Sequence, residues 1–296
     1  MDIIGKNYIF FAISLLVLVP GIVSLLLFGL RLSIDFSGGS RMEYQTGVQS
    51  SDVRQIITSQ GVEVSSIQNS NSDTYIIRTK PLDQKTHQKV LDALSKKYPY
   101  ARELSFQTVG PTIGSETTQN AFKSLIVASL LIVLYIAWSF RKVPKPVSSF
   151  RFGICAIVAL LHDVLVVVGI FSLLGHFYGV EVDSLFITAL LTVVGFSVHD
   201  TIVVFDRIRE NLRRMPGTSF SQVVNESILQ TLGRSLNTSL TVLLVLFTMF
   251  LFGGENVKWF IVALLVGITS GTYSSIFNAA PLLVVWHEWV EKRRHT

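Results

Sequence analysis

Residues 195–211 read Gly-Phe-Ser-Val-His-Asp-Thr-Ile-Val-Val-Phe-Asp-Arg-Ile-Arg-Glu-Asn, an apolar segment that ends in alternating charges. Asp200 lies within the apolar part, because Val203, Val204 and Phe205 follow it. A charged side chain in the hydrocarbon core costs about 2.5–3.5 kcal/mol on insertion scales, so it faces a protein interior or a hydrated cavity. We therefore interpret Asp200 as a functional residue of a membrane helix. The alternative is a structural hydrogen bond to a neighbouring helix or a position near the membrane surface.

The composition agrees with a membrane location. Hydrophobic residues make up 49% of the 296 residues and charged residues 15%, whereas soluble domains carry about 25% charged residues. The net charge is +5, but the basic residues crowd into short loops, as expected of cytoplasmic loops. We therefore expect no nucleic-acid partner. The single cysteine, Cys155, excludes an intrachain disulfide and a cysteine metal cluster.

The hydropathy pattern predicts six membrane-spanning helices, because an apolar run of about 20 residues is long enough to cross a bilayer. Basic residues recur at every second crossing, for example in the acid-free loop 141–146, which predicts that both termini are cytoplasmic. The amphipathic segment 220–232 predicts a helix lying in the membrane interface. The predicted spans are residues 8–30, 121–140, 152–174, 184–205, 236–252 and 259–285.

Residues 31–120 are polar and mixed in charge, which predicts a small domain between the first two spans. The strand and helix patterns occur in the order β-α-β-β-α-β, which is the ferredoxin-like order. Ten basic and nine acidic residues nearly balance in this domain, so we expect it on the extracytoplasmic side. The chain then divides into the N-terminus with the first span (1–30), this domain (31–120), spans two to six (121–286) and a basic tail (287–296).

Two glycine motifs flank the predicted domain. The first is Asp35-Phe36-Ser37-Gly38-Gly39 and the second is Val109-Gly110-Pro111. Glycine permits backbone angles and close approaches that other residues do not. Neither motif is followed by the Lys-Ser/Thr pair of a phosphate-binding loop. We interpret both as hinges where the domain meets its helices.

Three further ionisable residues lie in the apolar spans. His162-Asp163 falls near the middle of the third span, where a metal site would need further His and Asp ligands. We expect this pair either to hydrogen-bond a neighbouring helix or to take part in a proton path. His199 precedes Asp200, but adjacent helical residues point about 100° apart, so the two face different neighbours.

The fifth and sixth spans carry polar residues that could surround Asp200. Arg234 stands at the entrance of the fifth span, where its residue type alone indicates a cytoplasmic basic residue. Gly267, Gly271 and Ser275 recur at four-residue spacing and predict a small-residue face for close helix packing. Spans three to six thus contain the polar groups that a buried proton path or a hydrated cavity needs.

The motifs at 35–39, 109–111, 162–164 and 195–211 together resemble the SecF family of bacterial protein-export subunits. The resemblance covers essentially the whole chain and implies the six-span half of the resistance-nodulation-division superfamily, with a ferredoxin-like first extracytoplasmic domain. It assigns the fourth-span proton-path aspartate to Asp200 and a fifth-span arginine to Arg234, whose approach and withdrawal would switch the protonation of Asp200. His199 replaces the asparagine of many members. The other residues matched to the family motifs are Asp35, Gly38, Gly39, Gly110, Pro111, Asp206, Arg207, Arg209, Glu210 and Asn211.

The function that the resemblance implies is proton-driven assistance to polypeptide export after SecA has threaded the polypeptide through SecYEG. The implied partners in the bacterial cytoplasmic membrane are SecD, SecYEG, SecA, the translocating polypeptide and lipid, with YajC as a further candidate. We expect no enzymatic activity, cofactor or metal. Two alternatives stay open: half of an exporter of small molecules or lipids from the same superfamily, and a non-energised scaffold of the translocon. The presence of one six-span half favours a subunit.

Overall fold

The structure, a computed structural model, describes residues 2–45, 50–71, 74–141 and 148–295. The predicted basic loop therefore lies outside the described residues, apart from Arg141. The chain forms two compact units. We call the first the helical bundle (Met1–Leu30, Ser124–Val180 and Leu185–Thr296) and the second the sheet domain (Arg31–Lys123 and Glu181–Ser184).

The described residues form ten α-helices, four strands and two short helical turns. The helices are α1 (Asn7–Phe28), α2 (Ile34–Ser37), α3 (Ser50–Ser59), α4 (Gln84–Lys97), α5 (Pro111–Ser139), α6 (Ser149–Tyr178), α7 (Ser184–Arg214), α8 (Phe220–Phe252), α9 (Glu255–Ser274) and α10 (Ala280–His295). The strands are β1 (Gly39–Gln45), β2 (Val64–Asn71), β3 (Thr74–Thr79) and β4 (Arg102–Val109).

The sheet domain has the predicted order of elements, β1-α3-β2-β3-α4-β4. Its four strands form an antiparallel sheet in the order β2-β3-β1-β4. Alternation along β1 buries Met42 and Tyr44, and the apolar stripe of α4 buries Val90 and Leu94 in the same core. The α4 helix begins where it does because the Asp83 carboxylate accepts a hydrogen bond from the Thr86 amide at 3.1 Å, which satisfies a free N–H group of the first turn.

Six helical segments are long and apolar enough to cross a membrane. The first five contain α1, α5, α6, α7 and α8, and the sixth extends over Asn256–Arg293. An aromatic cluster of Phe140, Phe152 and Phe205 lies in the bundle core, with ring centroids 5.1–5.7 Å apart. Part of the apolar run after Asp200 therefore packs inside the protein, which explains its apolar character.

A close crossing joins α1 and α6. A Cβ atom placed on Gly169 would lie 2.7 Å from the Cα atom of Gly21, so both positions need glycine at this backbone contact. One turn along, the Ser24 and Ser172 hydroxyls are hydrogen-bonded at 2.8 Å. Small residues that let helices approach closely are common in membrane bundles. The small-residue face predicted from the sequence lies in the sixth span, and this crossing of α1 and α6 was not predicted.

The prediction of a separate interfacial helix at 220–232 was wrong. The α8 helix is continuous from Phe220 to Phe252. Val224 and Ile228, from its predicted amphipathic part, are fully buried in the bundle core. Gly233 lies between this part and the predicted span, but a glycine inside a helix costs only about 1 kcal/mol, which tertiary packing can offset.

The predicted sixth span is divided by a π-helical segment. The α9 helix ends at Ser274, five residues from Ser275 to Ala279 form a π-helix, and α10 follows. Such π-segments occur frequently at functional sites. This one begins at the third residue of the predicted small-residue face.

Candidate functional site

Asp200 lies inside the helical bundle, 5% exposed on α7. The Ser275 hydroxyl donates a hydrogen bond to its Oδ2 atom at 3.2 Å. Ser235 of α8 lies beside the same carboxyl group, and its buried hydroxyl makes no hydrogen bond within the described residues. The carboxyl group is therefore surrounded by neutral hydroxyl groups, which can donate to a carboxylate and accept from a carboxylic acid.

Within the described residues, four side chains contact the Asp163 carboxyl group. It is fully buried on α6. Ser197 of α7 and Ser274 of α9 lie 2.6 Å from its Oδ2 atom. Ser270 lies 2.7 Å and His162 Nδ1 3.0 Å from its Oδ1 atom. Three helices are thus tied to one side chain, which establishes the helix-to-helix hydrogen bonding predicted for this residue; the proton path stays a prediction.

Two consecutive serines connect these carboxyl groups. Ser274 donates to Asp163 and Ser275 donates to Asp200. Both hydroxyls also reach the carbonyl oxygen of Gly271, at 3.3 Å from Ser274 and 2.9 Å from Ser275. Successive residues can serve two different helices because they point in directions about 100° apart. The density of hydroxyl residues between 269 and 275 was visible in the sequence, but the partners of each were not.

The small-residue face packs against α7 inside the bundle. A Cβ atom on Gly267 would overlap the Val193 side chain, and one on Gly271 would lie 3.2 Å from the Ser197 Cα atom. The third member of this face, Ser275, contacts Asp200. The close approach of α9 to α7 therefore brings the serine pair to the carboxyl groups.

Arg234 and His199 lie outside this buried cluster. Both side chains are exposed. In the part of the chain that the structure describes, Arg234 makes no ion pair with Asp200, although its neighbour Ser235 is buried beside that carboxyl group. The structure therefore brings together Asp163, His162 and Asp200 with their serines, and it does not bring the arginine to the aspartate.

The charged end of α7 fastens that helix to α8. The amide of Asn211, 3% exposed, donates to Ser227 at 2.9 Å and to Gln230 at 3.0 Å. Arg207 donates to Gln230 at 2.6 Å and pairs with Glu210 at 2.5 Å. Asp206 pairs with Arg209 one turn apart. These contacts hold α8 at Ser227 and Gln230, which lie eight and five residues before Ser235.

The first glycine motif forms a turn in the sheet domain. Gly38 and Gly39 have φ angles of +70° and +128°, which favour glycine. A Cβ atom on Gly38 would lie 3.1 Å from the Cα atom of Pro111, so the two predicted junction motifs pack against each other. The Asp35 carboxylate accepts hydrogen bonds from the amide of Ser184, at 3.0 Å, and from its hydroxyl, at 2.6 Å. Since Ser184 is the first residue of α7, Asp35 caps that helix.

A half-buried ion pair lies beside this turn. Arg78 of β3 pairs with Glu181 and donates to the Leu32 carbonyl at 3.2 Å. Burial raises the pKa of Glu181, and the neighbouring Arg78 partly offsets that rise. Burial also lowers the pKa of Arg78. No sequence pattern pairs these two residues, because they are 103 positions apart.

Two family models match this chain. The model described as "Protein export membrane protein SecD/SecF, C-terminal" matches residues 89–289, and the "SecD/SecF GG Motif" matches residues 23–48. The second match contains the turn formed by Asp35, Gly38 and Gly39. The first contains both buried carboxyl groups.

Named relatives agree with the family models. The protein translocase subunit SecF of Thermobaculum terrenum is 48% identical over 97% of this chain and 94% of the relative. The protein translocase subunit SecDF of Bacillus subtilis is 35% identical over 96% of this chain, which spans 38% of that relative.

A solved structure also has this fold. The crystal structure of SecDF from Thermus thermophilus, a translocon-associated membrane protein, superposes with a TM-score of 0.84 at 33% identity. It covers 97% of this chain, which spans 39% of that longer chain. By its sequence and its fold, the chain belongs to the SecF family of protein translocase subunits.

Proposed function

We propose that this chain is a proton-driven accessory subunit of Sec protein translocation, which assists the late export of polypeptides after SecA has threaded them through SecYEG. The observation that carries the proposal is the buried Asp200 carboxyl group, which has hydroxyl neighbours and makes no ion pair within the described residues. Such a group can hold or release a proton without losing its hydrogen bonds. The names of the relatives support the Sec pathway.

The energy of the proton gradient suits a conformational role. One elementary charge crossing about 100 mV supplies about 2.3 kcal/mol, which shifts a two-state equilibrium about 50-fold. A change of this size biases the packing of α7, α8 and the sixth span around Asp200 and needs no covalent chemistry. In this proposal the chain acts as a transporter-like motor subunit and has no enzymatic role.

Arg234 gives the proposed cycle a second state. It adjoins Ser235, which lies beside Asp200, and successive helical residues point about 100° apart. A rotation of α8 by roughly this angle would replace the hydroxyl group with a guanidinium group. The positive charge would then favour the ionised carboxylate, because opposite charges at close range stabilise each other. Asp200 would release its proton in that state and take one up after α8 turns back.

The proposed partner is SecD, which would supply the second six-span half. The support is the length comparison, since this chain spans 39% of the SecDF chain that it superposes on. SecYEG, SecA, the translocating polypeptide and YajC belong to the same proposal. We place the protein in the bacterial cytoplasmic membrane, with both termini in the cytoplasm and the sheet domain, which we regard as ferredoxin-like, on the opposite side.

The direct test is Asp200→Asn in the complex with its SecD-type partner. The exchange keeps the size and hydrogen bonding of the side chain but prevents proton cycling. We expect normal insertion and assembly, with loss of the export that depends on an imposed proton gradient in inverted vesicles. The same exchange at the exposed Asp92 of α4 is the matched control and should leave export unchanged.

The outcome separates the proposal from its alternatives. A normally assembled Asp200→Asn complex that still responds fully to the gradient would refute the proton role. Failure of the variant complex to assemble would instead favour the scaffold alternative. Export that is normal while the efflux of a small molecule or lipid is lost would favour the exporter alternative.

A further inference from the structure

We propose that Asp163 is a second proton-binding carboxyl group, coupled to Asp200 through the consecutive hydroxyl groups of Ser274 and Ser275. This inference extends the proposed function, in which Asp200 carries the proton. It concerns a different helix and a residue that lies on the other side of the serine pair.

The surroundings of Asp163 contain little positive charge. The only basic group that contacts it within the described residues is the imidazole of His162 on its own helix. From α7 the nearest ionisable groups are Asp200 and the exposed His199, and from α9 it is Tyr273, whose hydroxyl donates to the Phe10 carbonyl at 2.7 Å.

The other helices packed against α6 add no charge near Asp163. The sequence of α1 contains no charged residue. The α10 helix contributes His287, which faces Arg151 near the start of α6. Arg151 lies about 18 Å from Asp163 along the helix axis at 1.5 Å per residue. A fully buried carboxylate without a cationic partner is costly, so the charge of an ionised Asp163 is balanced here only by its hydrogen bonds to three serines and to His162.

Ser274 can satisfy Asp163 in both protonation states. When Asp163 is ionised, the Ser274 hydroxyl donates to Oδ2 across 2.6 Å. When Asp163 carries a proton on Oδ2, it can donate to the Ser274 oxygen, and Ser274 then donates to the Gly271 carbonyl at 3.3 Å. Only the direction of the hydrogen bonds changes. Neither the Asp163 carboxyl group nor the Ser274 hydroxyl is left unpaired in either state, which favours a low-cost change of protonation.

Ser275 has the same two orientations toward Asp200. Its hydroxyl lies 3.2 Å from Oδ2 of Asp200 and 2.9 Å from the same Gly271 carbonyl. When Asp200 is ionised, the Ser275 hydroxyl donates to its carboxylate. The Gly271 carbonyl can then accept from the Ser274 hydroxyl, as it does when Asp163 is protonated. When Asp200 is protonated, the arrangement reverses. Repulsion between two buried carboxylates favours opposite protonation states of the two carboxyl groups. The shared Gly271 carbonyl adds to this preference without enforcing it, because the Ser275 hydroxyl also lies 3.2 Å from the Thr272 carbonyl.

His162 gives this site a second titratable group. Its Nδ1 atom faces Asp163, and its Nε2 atom is buried with no hydrogen-bond partner within the described residues. The side chain, 10% exposed, borders a cavity of about 440 Å³ together with Ser270 and Tyr273. An imidazole that is hydrogen-bonded on one side and unpartnered on the other can pass a proton between the two sides. The rest of the cavity lining is mostly aliphatic, so we assign the approach to Asp163 to the His162 imidazole and not to the cavity.

Infrared spectroscopy of the full chain in lipid nanodiscs tests the coupling. The C=O stretch of a protonated, slowly deuterium-exchanging carboxyl group is followed as a function of pH. We expect two titrating bands, of which Asp163→Asn and Asp200→Asn each remove one. Each exchange should also move the midpoint of the surviving band by about one pH unit or more, as for two interacting sites.

The serine variants test the route of the coupling. Ser274→Ala removes the acceptor of the Asp163 proton, so the Asp163 band should change in frequency even if Asp163→Asn does not fold. In the double variant Ser274→Ala/Ser275→Ala, the midpoint shift caused by Asp200→Asn should shrink. Ser172→Ala is the matched control, because it removes a buried hydroxyl from the same helix as Asp163. It should leave both bands and the shift unchanged.

The possible results distinguish this inference from the proposed function. The inference is overturned if Asp163→Asn removes no titrating band, if it leaves the Asp200 midpoint in place, or if Ser274→Ala leaves the Asp163 band unaltered. If Asp200→Asn removes no titrating band, the proposed proton role of Asp200 fails instead. Two coupled bands in a protein whose export ignores the gradient would support the coupling and refute the proposed function.

Discussion

Arg234 is proposed to control the protonation of Asp200, but the structure places its side chain away from that carboxyl group. Arg234 is exposed, whereas the adjacent Ser235 is buried beside the aspartate. A guanidinium group that remained beside Asp200 would keep it ionised, and a permanently distant one could not release its proton. A carboxyl group that binds and releases a proton in each cycle needs a guanidinium group nearby in one state and distant in the other. Arg234 and Ser235, which are neighbours on α8, would provide these two states through rotation of the helix.

Arg234→Met tests this role. Without the guanidinium group, nothing would favour the ionised carboxylate in the second state, so Asp200 would keep its proton. We expect the loss of gradient-dependent export seen for Asp200→Asn, and the double variant should be no worse than either single variant. Arg213→Met, at another exposed arginine, is the control. Additive losses in the vesicle assay would show that the two residues act independently.

A second residue-scale prediction concerns the sheet domain. Arg78→Met leaves the Glu181 carboxylate half-buried without its main partner, which should cost about 3 kcal/mol. Burial already raises the pKa of Glu181, and removal of Arg78 raises it further. The folded domain then binds this proton more tightly than the unfolded chain, so the lost stability should return as pH falls toward the folded-state pKa.

Hydrogen exchange of the β3 amides in the full chain measures this effect, because local unfolding exposes them. Lys80→Met, two residues further along the chain, is the matched control. It breaks an ion pair with Glu63 whose side chains are 72% and 70% exposed, and such pairs contribute little. The difference in exchange between Arg78→Met and the unchanged protein should therefore depend on pH. A difference that stays constant with pH would contradict the raised pKa of Glu181.

At the scale of elements, the approach of α9 to α7 carries the site. Gly271→Leu would push a side chain against the Ser197 backbone, which a Cβ atom alone already approaches to 3.2 Å. Overpacking of this kind costs about 1–3 kcal/mol. Gly195→Leu is the control, because a Cβ atom there meets nothing within 4 Å. We expect a lower midpoint for Gly271→Leu in detergent unfolding; equal midpoints for both variants would argue against a tight α7–α9 contact.

The sequence was most informative where each element has a period of its own. Alternation and amphipathic stripes predicted the order of strands and helices in the sheet domain, because its core, with Met42 and Leu94, is built from such patterns. It was least informative where tertiary packing decides. The segment 220–232 has the pattern of an interfacial helix, but Val224 and Ile228 are buried in the bundle and the helix continues.

The candidate site shows the same limit. The cost of a carboxyl group in an apolar run made Asp163 and Asp200 visible as candidates. Their partners depend on which face of the sixth span meets α6 and which meets α7. A π-segment begins at Ser275, and the period of 3.6 residues used to read helices does not predict it. The pairing of Ser274 with one aspartate and Ser275 with the other is therefore a property of the fold.

At the scale of the whole molecule, the two units divide the proposed work. The bundle contains the buried carboxyl groups, and the sheet domain would meet the exported polypeptide on the far side of the membrane. The chain passes between them where α1 leads into Arg31, where α5 begins inside the sheet domain, and on both sides of Glu181–Ser184. A proton-dependent change in the bundle could act on an exported polypeptide through this domain only if the domain lies on the opposite side of the membrane from the basic loops. The orientation is thus a premise of the proposed function.

Cysteine labelling tests this orientation. With Cys155→Ala as the background, Tyr100→Cys places a thiol on the sheet domain. Arg213→Cys places one in the last turn of α7. Both positions are exposed, with Tyr100 94% exposed, so accessibility inside the protein does not limit the reaction. Six spans with cytoplasmic termini put the two thiols on opposite sides of the membrane. A membrane-impermeant maleimide should therefore label Tyr100→Cys in right-side-out vesicles and Arg213→Cys in inverted vesicles. Labelling of both variants in the same vesicle orientation would refute the topology and, with it, the route by which a proton passing Asp200 could act on an exported polypeptide.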